Sequence, residues 1–210
     1  MKKIVLILFT FITMAMAESY PFTHDGFYLN FAMGFGFQGF DYKGTGEYRG
    51  NDLKVKVDGD GGSFEFDMKI GGRILPYTVL HATINQVHYL SDLRFKAEYR
   101  GEKISSSSES GEAMILYGIG VTYYIAPYNF FVSTSLGPVK FALTDKEGVI
   151  DGTSDFGFGF QLAAGKEWWV SENWGIGAMA ALTYGAADDK DGHGEMSACA
   201  FNFMFTATFN

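Results

Sequence analysis

The sequence predicts an all-β chain: an antiparallel up-and-down transmembrane β-barrel of about eight strands. Three observations carry that expectation. The chain opens with an export signal, then alternates apolar and polar residues with period two over eight segments, and its connectors are alternately long and short.

The export signal is compact. Lys2 and Lys3 form a basic n-region, Ile4 to Met14 an apolar h-region, and Ala15-Met16-Ala17 a small-x-small cleavage site. The run is too short for a spanning helix, which needs about 20 residues. Residues 1–17 are therefore expected to be removed, leaving residues 18–210 as one barrel domain. The chain is thus expected to be secreted through the inner membrane of a Gram-negative cell to its outer membrane.

Composition narrows the class. Charged residues are only 19% and hydrophobic ones 47%, which excludes a disordered chain. The 21 Phe, 12 Tyr and 27 Gly suit helices poorly and suit a sheet with one bulky and one bare face. Loss of Lys2 and Lys3 leaves 14 of the 16 basic residues against 24 acidic ones, a net charge of −10 that argues against nucleic acid. Cys199 is the single cysteine, so no internal disulfide can hold the chain.

The alternation can be followed strand by strand. In the first segment, Phe27 to Phe37, the odd positions are Phe, Leu or Met and the even ones include Asn30, Gly34 and Gly36. In the second, Phe64, Phe66, Met68 and Ile70 oppose Glu65, Asp67, Lys69, Gly71 and Arg73. The third, near Val79 to Leu90, is ambiguous in parity. Ala113 to Ile125, Phe130 to Leu143, Phe156 to Val170, Trp174 to Tyr184 and the C-terminal segment follow the same rule. The last sets Phe201, Phe203, Phe205, Ala207 and Phe209 against Asn202, Met204, Thr206 and Thr208.

Connectors of about 41–63, 91–112, 144–155 and 185–195 read as long polar loops, and those at 75–77, 126–129 and 171–173 as tight turns. Long loops at one end and short turns at the other are the outer-membrane pattern. The bulky face is almost wholly apolar over about ten residues, the span of a tilted membrane strand. Apolar-out and polar-in is the lipid-facing arrangement, the reverse of a soluble sandwich.

With these pieces in view, the chain resembles the small eight-stranded outer-membrane barrels of the OmpA/OmpX-like class over nearly all of Gly26 to Asn210. The stretch from Phe158 to Gly177, through Lys166-Glu-Trp-Trp-Val-Ser-Glu-Asn-Trp174, and the Phe-rich final strand carry the resemblance. It implies a C-terminal aromatic residue read by the outer-membrane assembly machinery; here Phe209 is penultimate and Asn210 last. The peptidoglycan-binding domain of longer members is not implied.

Several residue groups could carry chemistry. Glu65, Asp67, Lys69 and Arg73 are expected in the lumen, joined by Gln161 and Glu167. Paired carboxylates can act as acid and base, but buried charges must be paired, and a lumen-filling polar plug is the better reading. Tyr123, Tyr128, Phe130, Trp168, Trp174 and Phe209 cluster near the tight turns and read as an interfacial aromatic girdle rather than a sugar site. The run from Asp188 to Glu195 resembles the start of a calcium loop. Counted from Asp189, however, position twelve is Ala200, where a bidentate Glu belongs. His81 and His88 read as core or rim residues. No catalytic, cofactor or metal residue is assigned.

The functional expectation is a non-enzymatic integral outer-membrane protein that contributes to envelope integrity or surface interaction through its long loops. Lys103, Glu109 and Glu112 around the Ser105–Ser108 tract, and Asp188, Asp189 and Asp191, are the loop groups offered to an extracellular ligand. Expected partners are outer-membrane lipid, the assembly machinery during biogenesis and a ligand at the loops. The alternatives are a narrow channel or porin-like barrel and a lipid-modifying barrel enzyme, which would need a nucleophile and base at the rim.

Overall fold

Strands follow the alternation almost everywhere it occurs, and then continue past it. In the computed structural model the described residues are 26–48, 51–99, 102–108, 111–144, 150–190 and 193–210. The export segment 1–17 lies outside them. The strands are β1 (Phe27–Tyr48), β2 (Asn51–Leu75), β3 (Thr78–Tyr89), β4 (Leu93–Tyr99), β5 (Glu102–Ser108), β6 (Gly111–Ile125), β7 (Phe130–Thr144), β8 (Ile150–Thr153), β9 (Gly157–Trp169), β10 (Trp174–Asp188) and β11 (Gly194–Phe209).

Eight of these, β1, β2, β3, β6, β7, β9, β10 and β11, are the staves of a closed antiparallel barrel, sealed where β1 pairs with β11. The register gives the barrel its geometry. From Leu29 the paired residues run to Ile70, Ala82, Ile119, Leu136, Phe160, Tyr184 and Cys199, and return to β1 at Gly39. The circuit from Leu29 to Gly39 advances ten residues, a shear that tilts the strands by roughly 40°.

At one end the connections are tight. Pro76-Tyr77 joins β2 to β3, with Tyr77 at φ 61°, and the β6–β7 turn has Asn129 at φ 55°. At the other end the sequence expectation needs correction. The stretches read as loops 41–63 and 91–112 are largely strand. β1 and β2 stay paired out to Tyr48 and Asn51, β4 continues β3 beyond a break at 90–92, and the β4–β5 pairing keeps the register of β3–β6. Ser63 opposes Tyr89 on β3, and Asp58 opposes Arg94 on β4, five residues further along each strand. A four-stranded sheet, β1-β2-β4-β5, thus stands above one side of the barrel.

The reason lies in polarity. Along β1, Phe31, Met33, Phe35 and Phe37 are exposed on the outer face, while Asn30, Ala32 and Gln38 are buried inside. Beyond Gln38 the same alternation continues with its meaning reversed. Phe40 is buried inward, and Asp41 and Lys43 sit on the outer face. On β2, Val57 is buried while Lys56 and Asp58 face out. Apolar-out becomes polar-out where the strands leave lipid for water, and the charged, glycine-containing outer face imitates a loop in sequence.

Glycines sit where strands crowd. A Cβ on Gly34 would lie 1.9 Å from the Phe203 carbonyl oxygen and 2.6 Å from the Met204 Cα, so only glycine fits the β1–β11 seam there.

Candidate functional site: the lumen network and the rim

The interior is stacked in layers. Glu65, Asp67 and Lys69 project inward from β2 at mid-barrel, all at most 2% exposed. Period-two geometry aligns them on one face, and the register brings Asn85 of β3 directly opposite Asp67. Glu65 accepts hydrogen bonds from Asn85 Nδ2 (2.6 Å), Gln161 Nε2 (3.0 Å) and Thr183 Oγ1 (2.9 Å) on one oxygen, and from Asn202 Nδ2 (2.6 Å) on the other. Lys69 Nζ donates to Asp67 at 2.8 Å and to Gln161 Oε1 at 3.2 Å, and Gln161 Nε2 reaches Asp67 at 2.5 Å. Five strands, β2, β3, β9, β10 and β11, meet at this one cluster.

Apolar layers close it from both sides. Toward the short-turn end lie Tyr28, Val79, Tyr124, Phe131 and Met179. Toward the tall end lie Phe40, Val87, Tyr89, Leu93, Met114, Phe141 and Met196. The mid-barrel cluster thus lies between two layers rich in apolar side chains, each of which also holds polar groups, Glu167 with Thr208 below and Glu112 with Gln38 above. Charge in such a place needs partners, and Lys69 with the amides and hydroxyls provides them.

Two expected members stand elsewhere. Glu167 is buried, but in the lower layer, where it accepts from Thr208 Oγ1 at 2.6 Å and from the Tyr124 hydroxyl at 3.4 Å. Arg73 is exposed, whereas Glu65, Asp67 and Lys69 on the same strand are buried. It sits two residues before the end of β2, at the bulge between Arg73 and Leu75, where the inward direction opens onto the rim.

Sequence reasoning overlooked Asn85, Thr183, Asn202 and Ser63 as network members, although Thr183 and Asn202 stood on the polar face. Ser63 Oγ donates to Asn202 Oδ1 at 2.7 Å. It also placed Glu112 in a loop. Glu112 is 1% exposed, inside the barrel, and accepts a hydrogen bond from the Gln38 amide. A polar residue at an inward parity position was the signal for each.

The histidines do not form a pair. His81 faces the lumen, with its ring nitrogens 3.0 Å from Thr83 Oγ1 and Thr122 Oγ1. His88 lies on the opposite face of β3, near the Phe64 ring. In the Asp188–Glu195 turn, the Asp189 carboxylate accepts from the His193 backbone N–H (2.8 Å) on one oxygen and from the Tyr42 hydroxyl (3.0 Å) on the other, so one oxygen closes the turn and the other ties it to β1. Asp191 and Glu109 lie outside the described residues.

Around the short-turn end, Tyr123, Tyr128, Phe130 and Trp174 are exposed, and Trp168 and Phe209 half-exposed. Trp174 meets Phe209 edge-on at 5.4 Å, and Lys166 Nζ lies 5.0 Å from the Phe130 ring centre and 5.4 Å from that of Trp168. Above the tall end's apolar band, ion pairs cover the outer face. Asp58 takes Lys96 at 2.8 Å and Arg94 at 3.0 Å, and Asp41 takes Lys43 at 3.0 Å and Lys56 at 3.2 Å. The hydrogen bond from Lys96 holds the Asp58 carboxyl below the usual carboxylate range, with Lys96, Arg94 and Lys56 adding attraction against the opposing effect of burial. Burial pushes Asp41 upward, but the bonds from Lys43 and Lys56 outweigh it.

No protein-family model matches the chain, and no curated protein sequence does. Solved structures do. Neisserial surface protein A (NspA) is 12% identical, with a TM-score of 0.56 over 88% of this chain and 97% of that one. The outer-membrane protease OmpT from Escherichia coli is 11% identical, with a TM-score of 0.46 over 91% of this chain and 99% of that one. Ail, the attachment invasion locus protein of Yersinia pestis, is 12% identical in its complex with a heparin analogue. Its TM-score is 0.35 over 87% of this chain and 99% of that one. The closed eight-stranded barrel and the likeness to NspA together show the fold of the small outer-membrane β-barrels.

Proposed function

We propose that this chain is a non-enzymatic integral protein of the outer membrane, reached by way of a cleaved export signal, that supports the envelope and engages partners through the structures at its tall end. One observation carries the reading: the Glu65 carboxylate at the centre of the barrel has both oxygens committed to structure. Glu65 alone accepts four hydrogen bonds, and apolar layers cap the network above and below. A carboxylate acting on substrate needs a free oxygen and a route to it; Glu65 has its lone pairs spent on structure. The exposed polar surface beyond the apolar band lies instead on β1-β2-β4-β5 and the hairpins beside it, which is where a rigid scaffold displays recognition groups.

The test compares cells carrying the intact protein, cells lacking it, and cells carrying a form in which 94–107 is replaced by a two-residue turn. The proposal expects the shortened form to insert normally and to lose adhesion to surfaces or host matrix that the intact protein confers. Equal envelope permeability and equal binding in all three would refute it. Hydrolysis of a peptide or lipid substrate by the purified, lipid-reconstituted protein would refute its non-enzymatic part.

A further inference from the structure

The buried charges of the barrel do not balance. Among the described residues, Glu65, Asp67, Glu112 and Glu167 are buried carboxyl groups, and Lys69 is the buried cation. Lys69 Nζ is taken by Asp67 and Gln161 in the mid-barrel cluster. Glu112 stands apart from that cluster, in the layer above it.

Its place is a joint. Glu112 is the second residue of β6, where the chain passes from β5 down into the barrel. Gln38 marks the point on β1 where the outer face turns from apolar to charged. β1 and β6 are not neighbours in the sheet, so the hydrogen bond from Gln38 Nε2 to Glu112 Oε2 crosses the lumen. Gln38 is 2% exposed and Glu112 1%.

The surroundings offer Glu112 no counter-charge. β1, β2, β3, β4, β7, β10 and β11 all bring apolar side chains to this layer, and β9 brings glycine. Its one titratable member is Tyr89 of β3, whose hydroxyl donates to the Asp92 carbonyl at 3.4 Å. Below, β2 presents Glu65, bound by its four donors. Above, Tyr42 of β1 is bonded to Asp189. The cations nearby face outward: Lys43, Lys56, Lys96 and Arg94 on Asp41 and Asp58, and Lys140 of β7 over the Phe156 ring.

The two side chains also leave matching gaps. Gln38 Oε1 and Glu112 Oε1 are both buried and both without a hydrogen-bond partner. An ionised Glu112 only accepts, so it can satisfy neither. A carboxylate held in an apolar layer by a single amide is also very costly to bury. A carboxylic acid gains one donor, and its own partner offers the acceptor. One proton then serves an oxygen on each side chain.

The geometry points to an acid–amide strut: Glu112 holds a proton in the folded barrel, takes a hydrogen bond from the Gln38 amide and returns one to the Gln38 carbonyl oxygen. The proton comes from solvent on folding and goes back to solvent when the strut opens. Ionisation leaves a bare charge that water must enter the layer to reach, so the strut is a pH-sensitive latch between β6 and β1. Because β5 leads into β6, its release frees the base of the β4–β5 arm of the tall sheet. The unfolded chain gives up this proton above the ordinary glutamate value of about 4.3, whereas the folded chain keeps it. The folded state thus binds more protons, and stability falls as pH rises.

The experiment uses the mature chain folded in phosphatidylcholine vesicles, with folding read by the heat-dependent gel shift of a closed barrel. Infrared difference spectra at neutral pH compare it with Glu112→Gln. The proposal expects a carbonyl band of a protonated carboxylic acid that is lost in Glu112→Gln and moves to higher frequency in Gln38→Leu, where the acid loses its partner. Urea unfolding from neutral to mildly alkaline pH gives a second reading. Glu112→Gln keeps a donor and an acceptor at every pH. Relative to it, the unfolding constant of the unmodified chain should climb about tenfold per pH unit while the acid holds its proton. Protease nicking of β4–β5 should climb in the unmodified chain and stay level in Glu112→Gln. An identical acid band in the two proteins overturns the proposal, and so does a ratio of unfolding constants that does not change with pH. Should Glu112→Gln fail to fold, Gln38→Leu decides: a band that stays in place shows that no acid is paired with Gln38 and overturns the strut.

Discussion

Asn202 Nδ2 donates to Glu65 Oε2 at 2.6 Å across two strands that are not neighbours in the sheet. β1 stands between β2 and β11, so this bond spans the lumen side of the seam where the barrel closes. Ser63 Oγ adds a second link to the same asparagine at 2.7 Å. Side chains thus brace the joint that the backbone closes.

Lys69 is the cation of that centre. Lys69→Met should leave the Asp67 and Glu65 carboxylates facing each other in a dry interior and cost about 3–5 kcal/mol, as for any buried pair that loses one partner. Adding Asp67→Asn should recover a substantial part. Urea unfolding in lipid vesicles measures both, and strictly additive losses would show that the two side chains are not coupled.

Facing should decide the cost of surface changes. Leu182 points to lipid between Leu162 and Phe201, whereas its neighbour Thr183 is fully buried against Glu65. Leu182→Arg should cost roughly 2–4 kcal/mol near mid-membrane. Thr183→Ser keeps the hydroxyl and should cost far less. Equal losses in the same unfolding assay would contradict the register.

The barrel should not conduct ions appreciably. Three interior layers, the middle one tied together by Lys69, Gln161 and Glu65, occupy a lumen only eight strands wide. Planar-bilayer recordings on refolded protein should give a flat baseline, and stable large steps would restore the porin-like alternative.

Acid should loosen the tall sheet before the barrel. Asp58 is held below the ordinary carboxylate range, first by the hydrogen bond from Lys96. A group lowered in the folded state stabilises it above the ordinary range and loses that contribution as pH falls through the lowered value. Protease nicking of β4–β5 should therefore rise as pH drops below about 4, the ordinary aspartate value, while the barrel's gel shift persists. Asp58→Asn should show the increase already at neutral pH.

Much of this was legible in the sequence because period two survives any tertiary context: a strand's faces are fixed by counting. Leu182 against Thr183 and Phe203 against Asn202 needed no coordinates. What counting could not supply was register. Nothing local says that Glu65 will meet Asn202, or Gln38 will meet Glu112, because those partners depend on the shear of the whole circuit. Arg73 failed for the opposite reason: parity assigned it inward, but the strand had reached the rim. The extension failed because Asp41, Lys43, Lys54 and Lys56 among glycines look like solvated loop when the reader expects apolar residues to face out.

That reversal beyond Gln38 also sets how deep the protein can sit. Sinking it by two residues along each strand would draw Asp41 and Asp58 toward hydrocarbon; raising it equally would strand Phe37 and Phe201 in water. Either shift carries an energetic cost on several strands at once. The barrel is therefore a gauge of fixed length, and a bilayer that is thicker or thinner must deform around it, since the protein has no tilt or slide that keeps both edges satisfied.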